Sequence, residues 1–267
     1  MLTSREILQR ALQSNNREMS QRIEKCNAIV LKVTEYSNTS QIIQFFSKEF
    51  GHIGVIAKGT RNPKNKYYGL IQHLGNYEIV IYRKDTSLSL LKEISLIDDH
   101  SGLTSDFTMT VLAHAGAELY LQLMFEEDDY KKFYILLAQF YTFLPTVKKN
   151  HILVFWRFLL RVAGFLGFSL KFRQCQVCGT QNSELFRGIS FVHNGFICSN
   201  CSRKRAATEH FQINESTRKL LLILRSLYNL ESFEITEQDI KTINTILRTY
   251  LSYHLHKKIH LRSLEVL

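Results

Sequence analysis

The chain has 267 residues, enough for one large domain or two ordinary ones around buried cores. Apolar residues make up 45% and charged residues 22%, which excludes a disordered chain, and a formal net charge of +10 points to polyanionic partners. No uninterrupted apolar run reaches about 18 residues, and MLTSREILQRALQ lacks the basic-then-apolar pattern of a secretory leader, so the expected place is the cytoplasm.

Residues 1–26 are polar with weak helical spacing and read as an N-terminal extension, within which Met19 offers an alternative start. From Asn27 the texture becomes β-rich. NAIVLKVTEY (27–36), SQIIQFFSKEF (40–50), GHIGVIAKG (51–59), NYEIVIYRK (76–84) and SLSLLKEISLI (87–97) are predicted strands. Five short strands in 27–100 suit a five-stranded OB-fold barrel, with an SH3-like barrel as the alternative.

Near residue 104 the period changes to 3.6. Ser105-Asp106 precedes a helical run with Val111, Leu112, Ala115, Leu119 and Leu123 on one face. Glu126–Asp129 reads as a solvated turn. A second helix is predicted from Lys131 to Leu144, stopping at Pro145. ILVFWRFLLRVAGFLG (152–167) is apolar nearly all round and is expected to be a buried central helix ended by Gly164 and Gly167. Further on, Ser216-Thr217 is expected to cap RKLLLILRSLYNL, and Thr236 with Asp239 forms a predicted capping box. The fold class is therefore α+β and multidomain. A barrel precedes a helical domain (101–173 and 207–267) interrupted by a cysteine module at 174–206.

That module contains Cys175, Cys178, Cys198 and Cys201, spaced C-x2-C-x19-C-x2-C, while the fifth cysteine, Cys26, stands alone. Two Cys-x-x-Cys turns bring four thiolates to one ion and complete a tetrahedral S4 shell, so one structural Zn²⁺ per chain is predicted, on a ribbon-like hairpin. A closed shell leaves no position for water or substrate, which argues against catalytic zinc. His193, between the pairs, is read as a hairpin residue.

Positive charge is clustered. Residues 50–77 hold Lys58, Arg61, Lys64 and Lys66 and no acid; residues 171–205 are formally +5, falling to +3 once four thiolates and Zn²⁺ are counted. In AKGTRNPKNKYYG (57–69), Asn-Pro and glycines mark a projecting loop. Its cations, with Tyr67 and Tyr68, supply the phosphate contacts and stacking rings that single-stranded nucleic acid requires. Arg203, Lys204 and Arg205 are candidate secondary contacts.

Taken together, AIVLK, EFGHIGVIAKGTRNPKNKYYGLIQHL, FWRFLLRVAGFLG before CQVCG, NGFICSNC and LRTYLSYHLHKKIHLRSLEVL resemble the RecO family over residues 27–265. Asn65, Asn194-Gly195 and Leu255-His256 depart from that family's usual residues. The resemblance implies a non-enzymatic DNA repair and recombination mediator. Such a protein binds single- and double-stranded DNA, anneals complementary strands and, with RecR, loads recombinase onto DNA coated by single-strand-binding protein (SSB). It implies DNA contacts at Lys58, Arg61, Lys64 and Lys66, and docking of the acidic, hydrophobic SSB tail. For that tail the sequence offers Arg157 and Arg161, four apart in an apolar helix. Work on nucleoid DNA in the cytoplasm follows from the same resemblance. Two other readings compete: an RNA-binding small-barrel and zinc-ribbon protein of translation or ribosome assembly, and a zinc-dependent nuclease. Asp98-Asp99-His100 is the nearest cluster to a nuclease site. Adjacent strand carboxylates point to opposite faces, which weakens that reading.

Overall fold

The computed structural model describes residues 22–84, 88–204, 210–224 and 230–267. The chain divides into two compact units between Asp99 and His100. Among the described residues no helix is long and apolar enough to cross a membrane.

In the first unit, β1 (Arg22–Glu35), β2 (Gln41–Ser47), β3 (Gly51–Ala57), β4 (Asn76–Arg83) and β5 (Ser89–Asp98) close a barrel in the order β1-β2-β3-β5-β4. Closure comes from β1 pairing with β4 and from a short parallel ladder, Val55–Ser89 and Ile56–Leu90, between β3 and β5. This is the strand order of an OB-fold, the barrel class expected from the sequence. The strand start differs from the expected one. Arg22–Cys26, assigned from sequence to an extension, already pairs with residues 79–83, so the barrel begins before Asn27.

The inward residues Cys26, Ala28 and Val30 change phase to Val33 because the register slips between Val30 and Lys32. A bulge of this kind adds twist and lets one long strand bend round a closing barrel. Phe45, Val55, Tyr77, Ile79 and Ile81 fill the interior, all fully buried. The Tyr77 hydroxyl is satisfied locally, donating to Leu70 O at 2.8 Å and accepting from the Gln72 N–H at 2.9 Å, which anchors the end of the long β3–β4 connection.

In the second unit, α1 (Phe107–Gln122) starts at Asp106, whose carboxylate accepts from the Met109 N–H at 2.9 Å. α2 (Tyr130–Phe143) stops before Pro145. α3 (His151–Phe165) is the central helix. Leu153, Phe155, Trp156, Leu159 and Val162 are buried, and the Trp156 indole donates to Asn244 Oδ1 of α6 (Glu237–His254) at 2.7 Å. Gly167 (φ 95°) ends α3 in a Schellman turn: Phe168 N–H bonds Ala163 O, and Gly167 N–H bonds Gly164 O.

The capping box of Thr236 and Asp239 at the start of α6 is present. The other expected cap is corrected. α5 (Glu215–Ile223) is capped by Asn214, which accepts from Thr217 N–H at 2.8 Å, while the Ser216 hydroxyl turns to Asp239 Oδ1 at 2.7 Å. Asn214 lies in extended backbone before the first turn, where an N-cap side chain must sit, and Ser216-Thr217 already lies inside the helix.

Between α3 and α5 lie β6 (Phe186–Ser190), β7 (Gly195–Cys198), the single turn α4 (Ser199–Arg203) and β8 (His210–Gln212). They form a three-stranded sheet in the order β7-β6-β8. The sheet therefore continues past residue 206, where the sequence boundary of the module was drawn. Three residues carry too little periodicity to announce a strand, and β8 exists only through its pairing with Gly188–Ser190.

Candidate nucleic-acid interface and metal centre

Sγ atoms of Cys175, Cys178, Cys198 and Cys201 all lie within 4.8 Å of one another, with Cys178 and Cys198 at 3.7 Å. A tetrahedral S4 site with bonds of about 2.3 Å places its sulfurs about 3.8 Å apart, so the donor set fits one soft divalent ion. Local backbone arranges this: Gly179 (φ 77°) closes the first Cys-x-x-Cys turn with its N–H on Cys175 O, and the Cys198 N–H donates to Cys175 Sγ at 3.3 Å.

Burial alone would raise the Cys175 thiol, but backbone N–H donors from Cys178, Cys198 and Val177 bring it down to about 6. Burial and the neighbouring sulfurs push Cys201 up to about 12. Sulfurs this close repel when charged together, and a cation among them would relieve that repulsion. His193, in the β6–β7 turn, is not among the clustered ligands.

Residues 58–70 follow β3 as consecutive turns, not as a free tether. Asn62 N–H bonds Gly59 O, Asn65 N–H bonds Asn62 O and Tyr68 N–H bonds Asn65 O. The side chains of Asn62 and Asn65 accept from the N–H groups of Lys64 (3.0 Å) and Tyr67 (2.8 Å). Lys58, Lys64, Lys66 and Tyr68 are exposed on this frame.

The two tyrosines separate. Tyr67 packs on the barrel core with the Lys66 ammonium 4.6 Å from its ring centre, while Tyr68 is 57% exposed. Arg61 is engaged. Its guanidinium pairs with Glu35 at 2.9 Å and donates to Ser37 O at 3.1 Å, and its backbone N–H donates to Thr39 O at 3.0 Å. Arg61 thus staples the basic loop to the β1–β2 turn. That turn presents Tyr36, 61% exposed, a ring the sequence reading treated only as the end of a strand.

Arg157 and Arg161 rim a groove of about 470 Å³ between α2 and α3, with Phe140, Phe143, Val154 and Phe158 among its apolar lining. Phe140 and Phe158 stack at 4.3 Å and fix its floor. The Arg157 guanidinium donates to Leu224 O, Arg161 lies 5.9 Å over the Phe165 ring, and neither has an acidic partner among the described residues. Arg203 and Lys204 are exposed beside the cysteine cluster, Arg203 donating to Asn200 Oδ1 at 2.7 Å. Arg205 lies outside the described residues.

A closed five-stranded barrel with an acid-free loop, followed by a helical unit carrying a tetracysteine sheet, defines a two-unit OB-fold protein. The family description "Recombination protein O N terminal" matches residues 19–100, and "Recombination protein O C terminal" matches residues 104–265. The chain belongs to the recombination protein O (RecO) family. It is 29% identical to the DNA repair protein RecO of Chloroherpeton thalassium, over 91% of this chain and 97% of that one. It is 26% identical to that of Clostridium novyi, over 91% of this chain and 92% of the other. With the protein of Listeria monocytogenes the identity is 24%, over 92% of this chain and 94% of the relative.

Proposed function

We propose that this chain is a non-enzymatic DNA repair and recombination mediator. It binds single- and double-stranded DNA through the barrel loop, anneals complementary strands and, with RecR, assists recombinase loading on DNA coated by SSB, acting in the cytoplasm on nucleoid DNA. One observation carries this reading: Lys58, Lys64, Lys66 and Tyr68 stand exposed on a loop that Arg61 staples to the turn bearing Tyr36. Cations neutralise phosphates, and exposed rings hold bases one face at a time. Two strands held in this way lose much of their mutual repulsion and pair downhill, with no nucleotide hydrolysis. The tetracysteine cluster would hold Zn²⁺, whose contribution is structural because four protein sulfurs fill its shell. The groove rimmed by Arg157 and Arg161 would take the SSB tail, its carboxylates on the guanidiniums and its apolar end among Phe140, Phe143 and Phe158. Arg203, Lys204 and Arg205 would add secondary contacts to DNA.

The deciding measurement is annealing of complementary strands coated with SSB, with and without the protein. Acceleration is expected; no acceleration over protein-free strands would refute the mediator reading.

The Glu35–Arg61 pair yields a sharper expectation. A phosphate reaching Arg61 must first displace the Glu35 carboxylate, whose side chain is 71% exposed and so releases readily. Glu35→Gln removes that competitor, so single-strand affinity should rise and the log–log salt slope should steepen by about 0.7, one added phosphate contact. Fluorescence anisotropy across a salt series reads the slope. An unchanged slope would mean that Arg61 stays with the turn in the complex.

A further inference from the structure

Residues 130–183 contain no aspartate or glutamate and eight lysines and arginines, a longer acid-free stretch than the barrel loop. Sharing Arg157 and Arg161 with the apolar groove, a second cleft of about 880 Å³ opens within this stretch. Arg157, Arg161, Ser169 and Arg173 line it, with Leu222 and Leu224 among the residues of its wall. A smaller groove of about 480 Å³ continues from Arg173 past Lys171, Gln174 and Gln176. Arg161, Ser169, Lys171 and Arg173 are exposed, and among the described residues none of these cations meets a carboxylate. Like charges one helical turn apart repel, and Arg157 is lowered by burial and by Arg161, so the ridge lacks its counter-charge. A run of cations, hydroxyl and amide donors along an open cleft matches a chain of phosphodiesters better than a compact ligand.

We propose that the cleft lined by Arg157, Arg161, Ser169 and Arg173 is a second nucleic-acid site, which takes the sugar-phosphate backbone of single-stranded DNA. Because it shares Arg157 and Arg161 with the apolar groove, DNA in the cleft and an acidic peptide in the groove exclude each other. The exclusion rests on the proposed docking of the acidic tail; the cleft's affinity for DNA does not. Docking on the coated strand's tail would keep the cleft empty, and release of the tail would open it to the bare strand. Hand-over then follows from one pair of side chains serving two ligands.

Arg173 and Ser169 line the cleft and not the apolar groove, so they separate the two sites. The experiment uses the full chain with Lys58→Glu and Lys64→Glu, which remove most of the barrel loop's share of binding, and a fluorescent single-stranded oligonucleotide. Residual binding is expected, weakened about tenfold by Arg173→Glu and independently by Ser169→Glu, with a salt slope flatter by about 0.7 for the lost arginine. A synthetic peptide of the SSB acidic tail should displace the residual oligonucleotide and should bind both variants with parental affinity. Residual binding that neither variant weakens would overturn the second site, as would no residual binding at all. Simultaneous binding of peptide and oligonucleotide would overturn the exclusion alone. If the unaltered chain binds no DNA, the mediator reading fails first, which keeps the two failures distinct.

Discussion

Chelating the metal should unfold the β6–β8 sheet while the barrel stays folded. The module's own core is small, chiefly Phe186, Ile189, Phe196 and Ile197, and its strands are five, four and three residues long. Strands this short do not hold together in water on their own. Structural zinc contributes on the order of 10 kcal/mol to folding, far more than such a core supplies. Without the ion, the sulfurs that must sit within 4.8 Å of one another repel whenever more than one is charged.

The damage should spread along one identifiable route. Arg218 of α5 is 1% exposed, and it donates to Ser183 O at 2.6 Å and to Glu184 Oε2 at 2.8 Å, both on the chain between the cysteine pairs. Release of that segment leaves the guanidinium only the longer contact to Glu215 at 3.9 Å, so α5 should loosen as well. Hydrogen exchange of chelated protein should show lost protection over 174–202 and in α5, with barrel amides unchanged. Metal analysis should return one zinc per chain. Retained protection over 174–202 after complete metal removal would show that the cysteines do not hold the module together.

What sequence could disclose depended on whether a property was local. NAIVLKVTEY is rich in β-branched residues and 152–167 is apolar nearly all round, so the body of the first barrel strand and the central helix were legible. The C-x2-C spacing carries its geometry with it, because each turn needs only its own four residues. The parallel closure of β3 on β5 was not legible, since no pattern within either strand encodes a partner 34 residues away at Val55–Ser89. The start of β1 was hidden by charge: Lys25 is solvent-facing and pairs with Glu78, so the segment lacks the apolar alternation that marks a strand.

The same limit applied to the site. Acid-free composition located the basic loop, but the Arg61–Glu35 pair joins residues that are distant in sequence and adjacent only after β1 and β2 have paired. Tyr36 was missed for that reason. The acid-free stretch 130–183 was visible in composition, yet its cations are scattered among core positions of helices. Only folding of α3 against the chain beyond Gly164 gathers Arg157, Arg161 and Arg173 on one cleft.

Lys58→Glu with Lys64→Glu should remove most of the barrel's share of DNA affinity without harming the fold. Both side chains are exposed, and the turns beneath them are held by backbone and by Asn62 and Asn65, so the substitutions leave the frame intact. Each lysine that neutralises a single-strand phosphate contributes about 0.7 to the log–log salt slope, and losing both should flatten it by about 1.4. A slope difference of that size makes the variant's deficit grow about 25-fold for each tenfold dilution of salt, before the added repulsion is counted. Tyr68→Ala provides the complementary contrast. It removes a stacking ring and no charge, so it should weaken binding at every salt concentration by a constant factor and leave the slope alone, a loss of about 1–3 kcal/mol. If the lysine variant keeps the parental slope, phosphates do not meet this loop. If the tyrosine variant changes the slope, its effect runs through loop structure and not through a base. The two measurements together separate charge from stacking at a site where cation and ring are four residues apart on one frame.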